Sequence, residues 1–146
     1  MNKTVLITGT SSGIGRETAL YFASKGWNVV ATMRNPESRQ TDLKGRDHID
    51  CVHLDALDME SVRKAVNFAR DKFGSIDVIV NNAGFATLGP FEASKREQVQ
   101  KQFNTNVIGL VDLTKEIIPV FRTEIRHNHQ CRVHGRKGLF SVLFCL

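Results

Sequence analysis

Short runs of branched aliphatic residues alternate along this chain with stretches in which apolar positions recur at helical spacing. Val5-Leu6-Ile7 is the first run, and it stops at Gly9. Ile14, Thr18, Ala19, Phe22 and Ala23 then recur on one helical face, and Lys25-Gly26 supplies a basic last turn and a glycine stop. The pattern repeats. A strand over Asn28 to Thr32 is followed by Asn35-Pro36, suited to start a short helix, and by a polar loop. A third strand runs from Ile49 to Leu54, and Val62, Ala65, Val66, Ala69 and Phe73 mark the next helix, capped by Asp58 and ended by Gly74. Ile76 to Val80 is a fourth strand. Ser94-Lys-Arg-Glu97 reads as a capping box that opens a long helix through Leu110, Val111, Leu113, Ile117 and Val120. An order of βαβαβαβα with apolar strands predicts an α/β fold: a doubly wound parallel sheet, strand order 3-2-1-4, with helices on both faces.

The chemistry gathers where the strands end. Gly9, Gly13 and Gly15 join the first strand to the first helix, in a GxxxGxG spacing. A helix N-terminus has unpaired N–H groups and partial positive charge, so it suits a pyrophosphate. One glycine permits the turn, one lets backbone approach phosphate, and one lets helix and strand pack closely. A plain strand-to-helix turn would also use glycine. Two further features tip the balance: Thr8 with Ser11-Ser12 in the loop, and Asn81-Asn82-Ala83-Gly84 following the fourth strand at the end where open α/β sheets bind ligands.

TGxxxGIG at Thr8 to Gly15 and NNAG at Asn81 to Gly84, in this order with two βα units between, resemble the short-chain dehydrogenase/reductase family. The resemblance covers Met1 to about Phe121 and lies nearest the hydroxysteroid- and retinol-dehydrogenase-like branch. It implies a Rossmann-like domain over residues 1–121 in which Gly9, Ser11, Ser12, Gly13, Ile14 and Gly15 hold a nicotinamide dinucleotide. It further implies that Asp55 and Ala56 meet the adenine and that Asn82, Ala83 and Gly84 line the cofactor. Asn81 is expected to tie neighbouring strands through its amide. Asn106, in Asn-Val-Ile-Gly109, resembles the family's NxxG element, whose Asn holds a proton-relaying water; on its chemistry alone it could equally be a satisfied core amide. A partner subunit is expected on the 94–121 helix.

Cofactor choice follows from the end of the second strand. An NAD site places a carboxylate about 20 residues past the glycines to bond the ribose 2′-hydroxyl, whereas a 2′-phosphate needs a cation. Met33-Arg34 stands there, so NADP is expected over NAD. Tyr21-Phe-Ala-Ser-Lys25 matches the family's catalytic YxxxK pattern but sits on the first helix, away from the phosphate end, and reads as a surface pair.

Composition changes the picture at the far end. The net charge of +5 suggests nucleic acid until it is divided: Met1 to Phe121 hold 15 Lys+Arg against 14 Asp+Glu, and Arg122 to Leu146 hold 5 against 1. Basicity belongs to the tail, and no nucleic-acid partner is expected. Cys51 alone in the body gives no disulfide framework, and no apolar run is long enough to span a bilayer, so a cytoplasmic protein with no membrane segment is expected. The tail sequence Arg126-His-Asn-His-Gln-Cys-Arg-Val-His134 carries His/Cys spacing, but no strand or helix periodicity frames the ligands, and no metal is expected.

Beyond Phe121 the resemblance implies a fifth strand, then a catalytic Ser, Tyr and Lys, and residues 122–146 supply none of these; Tyr21 is the single tyrosine. The genetic code offers a reason. Read one nucleotide later, the codons of His127 to Cys131 permit Thr-Ile-Ile-Asn-Val, a family-like strand. The same frame permits a Ser and, at the end, a Tyr with the family's separation. The expectation is an oxidoreductase moving hydride between NADP(H) and an alcohol or ketone, here keeping its cofactor half with an out-of-frame tail. A non-catalytic nucleotide- or partner-binding module is the alternative. Without native later strands, the fourth is an aggregation-prone edge unless Gly138 to Leu146 covers it. Sequencing genomic DNA across the junction after Phe121 tests the frame: it should continue into a Lys codon four positions past the Tyr, and a stop or an unrelated reading there refutes the shift.

Overall fold

A computed structural model describes residues 2–38, 41–127 and 142–144. Its centre is strand β1, Thr4–Thr8, wholly buried because sheet neighbours flank it and helices cover both faces. Parallel to it run β2 (Asn28–Met33) and β4 (Val78–Asn81), with Val5 opposite both Val29 and Val78. Outside β2 lies β3, Ile49–His53, so the order β3-β2-β1-β4 is the one the sequence predicts. Side chains alternate between the faces. Leu6, Val30 and Ile79 enter one core layer, while Val5, Ile7, Val29, Ala31 and Val80 enter the other.

A fifth strand, β5 (Val142–Phe144), pairs with β4 through Ile79 opposite Val142, so β4 is not the edge. The cover comes from within Gly138 to Leu146, the stretch named above as able to supply it. His129, Cys131 and His134 lie outside the described residues.

Helix α1, Gly13–Ser24, ends in a Schellman turn: Gly26 N–H donates to the Ala23 carbonyl at 2.9 Å and Trp27 N–H to that of Phe22 at 3.2 Å. Its contact face differs from the expected one. Gly15 and Ala19 are its buried residues, with Leu20, Phe22 and Ala23 packed partly against the core, whereas Ile14 is 70% exposed. Ile14 stands in the first turn, beyond the sheet end, and so faces the crevice described below. No helix follows Asn35-Pro36 within the described residues; 36–38 form a turn. Leu43 is the only large apolar side chain between Asn35 and His48, too little to hold a helix face against the body. Instead Leu43 plugs the core, and Asp42 bridges two arginines: Arg16 Nε donates to its Oδ1 at 2.7 Å and Arg46 Nη2 to its Oδ2 at 3.0 Å.

Helix α2, Met59–Phe73, follows its sequence signals closely. Asp58 Oδ1 accepts from Glu60 N–H at 3.0 Å, Gly74 ends the helix at φ 82°, and Val62, Ala65, Val66 and Ala69 are buried. The long helix is not continuous. It comprises α3 (Arg96–Phe103), a π-helical segment (Asn104–Ile108) and α4 (Gly109–His127), with Leu113, Ile117 and Val120 buried in α4. It also starts later than Ser94-Glu97 implies: Gln98 Oε1 accepts from Lys95 N–H at 3.0 Å, one register on. Among the described residues no helix is long and apolar enough to cross a membrane.

Two outcomes are expected from this packing. Asp58→Ala removes the α2 cap and should lower unfolding stability by about 1 kcal/mol in urea titration. The Arg16 guanidinium holds the Asp42 carboxyl down to about 2, from 3.8. A depressed folded value means the clamp contributes fully above about pH 4 and is lost as pH falls toward 2. Carboxyl NMR should find that low midpoint, and Arg16→Ala should return it toward the ordinary range.

Candidate functional site

At the carboxyl ends of the strands lies a crevice of about 460 Å³, within the roughly 300–1,000 Å³ of ligand pockets. Each strand end contributes to it. Gly9, Ser11, Ser12 and Ile14 come from the turn after β1, Met33 and Arg34 from the end of β2, Leu54, Asp55, Ala56 and Leu57 from beyond β3, and Asn82, Ala83, Gly84 and Phe85 from beyond β4. The far wall is Lys101 and Thr105.

The glycine turn is fixed by contact with the loop after β4. Gly9 sits at φ 70°, and a Cβ there would lie 2.9 Å from the Ala83 Cα. At Gly15 a Cβ would lie 2.4 Å from both the Gly9 carbonyl oxygen and Asn82 Nδ2, so only glycine lets the helix come this near the strand. Gly13 is different: at φ 58° no protein atom lies within 4 Å of where its Cβ would be. Gly13 and Gly15 shape the turn but do not line the crevice. Thr10 fastens the other side, its N–H and hydroxyl both donating to the Thr32 carbonyl at 3.0 and 3.2 Å.

The strand-tying role expected of Asn81 falls to Asn82. Asn82, expected to line the crevice, does so, but its Nδ2 also donates to the carbonyls of Thr8 and Gly9 at 2.9 and 3.0 Å. Thr8 Oγ1 accepts the N–H groups of Asn82 and Ala83 at 3.0 and 2.9 Å. Asn82 and Thr8 therefore tie β1 to β4. Asn81, expected to do this, is 2% exposed with its amide N and O unpaired. Alternation along β4 turns its side chain to the opposite face from the β1 loop, where the amide meets no donor or acceptor among the described residues.

Asn106 lies in the π segment, behind the crevice wall. Its Oδ1 accepts Phe85 N–H at 3.1 Å and its Nδ2 donates to the Phe85 carbonyl at 2.9 Å. The side chain thus braces the loop that carries Asn82 to Phe85. Gln102 Oε1 adds a bond from Thr87 N–H at 2.9 Å. Gly109 lets α4 approach the loop after β3, since a Cβ there would lie 2.7 Å from the Ala56 carbonyl oxygen.

Charge in the crevice favours an anion. The first turn of α1 holds no acidic residue, and Ser12, its N-cap, makes no side-chain bond to it, so that end is not neutralised by the protein. Arg34 has no ion pair among the described residues; its carbonyl is held by His53 Nδ1 at 2.5 Å. Among the described residues Asp55 is the one acid lining the crevice, and its Oδ1 accepts Leu57 N–H at 3.0 Å. The residues present therefore fit a dinucleotide: an open glycine backbone at a helix end, and a cation at the end of β2. Elsewhere, burial pushes the Cys51 thiol up, which keeps it protonated and unreactive at neutral pH. Tyr21 is 61% exposed on α1 with Lys25 Nζ 5.4 Å from its ring centre, outside the crevice. Among the described residues no group of His, Cys, Asp and Glu could hold a metal ion.

Sequence reasoning missed Met33, Leu54, Leu57, Phe85, Lys101 and Thr105 as crevice residues. Leu57 and Phe85 could have been found as neighbours of strand-end motifs. Lys101 and Thr105 arrive from a helix whose pattern shows nothing of the crevice.

Known proteins share this arrangement. Residues 3–130 match the family model described as short chain dehydrogenase. Human retinol dehydrogenase 8 is 35% identical over 151 aligned positions, which cover 97% of this chain and 47% of that protein. An uncharacterized oxidoreductase of Schizosaccharomyces pombe is 34% identical over 119 residues, 82% of this chain and 40% of its own. The chain thus spans about half the length of these relatives. Among solved structures, ElxO with NADP bound superposes with a TM-score of 0.75 at 34% identity, covering 85% of this chain and 52% of that one. The 3-ketoacyl-(acyl-carrier-protein) reductase of Brucella melitensis, complexed with NADH, gives 0.78 at 31% identity over 86% and 52%. A match of this extent runs through the strands and loops that build the crevice, and the chain belongs to the short-chain dehydrogenase/reductase family.

Proposed function

We propose that these 146 residues form the cofactor-holding half of an NADP(H)-dependent oxidoreductase for alcohols and ketones, and that alone they bind cofactor without transferring hydride. Arg34 carries the reading: a guanidinium without an ion pair among the described residues lines the crevice at the end of β2, where a carboxylate would select NAD. The α1 end takes the pyrophosphate, Asp55 and Ala56 meet the adenine, and Asn82 to Gly84 form the floor. When bound, the nicotinamide supplies or accepts the hydride. Proton transfer needs a general acid beside it, and the single tyrosine, Tyr21, lies on the outer side of α1.

Similarity to retinol dehydrogenase 8 supports an apolar alcohol as substrate of the intact enzyme. Exposed Val99, Phe103, Val111 and Ile118 on α3 and α4 support subunit pairing there. Asn106 acts in this reading by holding the cofactor-lining loop; a water relay would use whatever bonding capacity Phe85 leaves it. The setting is cytoplasmic, and the cofactor contacts of this reading lie within residues 1–121; of residues 122–146, β5 adds a strand beside β4. A nucleic-acid partner would rest on the charge of residues 122–146 alone and has no part in this reading.

Calorimetry on the 146-residue chain should detect NADP⁺ binding tighter than NAD⁺. Arg34→Ala should weaken NADP⁺ about tenfold and leave NAD⁺ within about twofold; no heat with NADP⁺, or equal losses for both, refutes the assignment. Mixed with NADPH and a retinoid or steroid carbonyl, the chain should leave NADPH absorbance unchanged, and any turnover refutes the claim of inertness.

A further inference from the structure

One wall of the crevice comes from a helix that carries none of the nucleotide motifs. Lys101, on α3, lines it across from the strand ends, and with Leu57 it also borders a shallow adjoining hollow that includes Arg96 and Gln100. Leu57 lies two residues past Asp55, so Lys101 borders the crevice near the loop after β3, and Arg34 lines the same crevice from the end of β2.

Lys101 is exposed, and its side chain forms no ion pair or hydrogen bond with the described residues. That sets it apart from Arg16, Arg46, Arg63, Lys64, Lys72 and Lys115, each within ion-pair distance of a carboxylate. Among the described residues Arg34 and Lys101 are the two cations lining the crevice. Neither is within ion-pair distance of a carboxylate among the described residues: Asp55 Oδ1 accepts the N–H of Leu57, and Glu97, one helical turn from Lys101 on the border of the same hollow, makes no ion pair with it.

The position of this backbone is fixed. The next residue, Gln102, accepts from Thr87 N–H, Asn106 brackets Phe85, and Gly109 abuts the Ala56 carbonyl. These anchors hold α3 against both loops that form the crevice, so the lysine is presented to it. A lysine is a point charge on a flexible stem and suits a phosphate approached from one side, whereas Arg34 offers a planar fork.

We propose that Lys101 is a second cationic ligand for the phosphate that distinguishes NADP(H) from NAD(H), closing from α3 the site that Arg34 opens from β2. The assignment rests on the cofactor reading above. A 2′-phosphate carries up to two negative charges, so two cations balance it where one leaves it partly uncompensated.

Calorimetry with NADP⁺ and NAD⁺ on the 146-residue chain tests it, using Lys101→Gln, Lys101→Arg and the exposed control Lys115→Gln. Lys101→Gln should weaken NADP⁺ about fivefold and NAD⁺ less than about twofold. Lys101→Arg should restore most of the NADP⁺ affinity, and the control should match the parent. Equal losses for both cofactors, or none, overturn the Lys101 assignment while the Arg34 reading stands on the parent's preference. A parent chain with no preference for NADP⁺ overturns both.

Discussion

Everything at the ligand end depends on how closely two backbone turns approach each other. The turn after β1 and the loop after β4 meet at Gly9, Gly15 and Ala83, where a single added Cβ would fall 2.4 to 2.9 Å from neighbouring atoms. Contact at this distance leaves no space for water, so the polar groups there must satisfy one another. Thr8 and Asn82 do so, each joining the two loops with a pair of hydrogen bonds. The helix end is thereby aimed, and the floor beside it is set.

A second brace acts on the opposite wall. Between α3 and α4 the helix passes through a π-helical turn, closed by Gly109 N–H on the Asn104 carbonyl. One extra residue in a turn shifts the helix phase. Here it brings Asn106 and Gln102 to the loop after β4, while Gly109 sits against the loop after β3. A residue that resemblance marks as part of a proton relay thus also has a mechanical task, because its amide fits the peptide of Phe85 at both ends.

Electrostatics then separates the crevice from the rest of the surface. Around α1 and the β2–β3 loop, arginine and aspartate are matched, and Asp42 is strongly held in its charged form. At the crevice the matching stops. Arg34 and Lys101 meet one acid, and an uncapped helix end adds positive potential.

The sequence determined a good deal by itself. Continuous apolar runs, helical stripes and glycine stops fix the order of elements, and strands buried on both faces imply a parallel sheet, so β3-β2-β1-β4 was legible. So were the crevice residues next to strand ends, because a strand carries its following turn to a known place. Local signals also misled. Asn35-Pro36 opens no helix because no apolar face follows it. Ile14 fits a stripe yet stands beyond the sheet. The tying role falls to Asn82 in place of Asn81 because a one-residue step along β4 reverses the side chain. What only tertiary structure decided is which distant segments meet: the π turn against Phe85, Gly109 against Ala56, Lys101 in the wall of the crevice that Arg34 also lines. Those pairings depend on helix phase and loop approach over tens of residues, and no local periodicity encodes them.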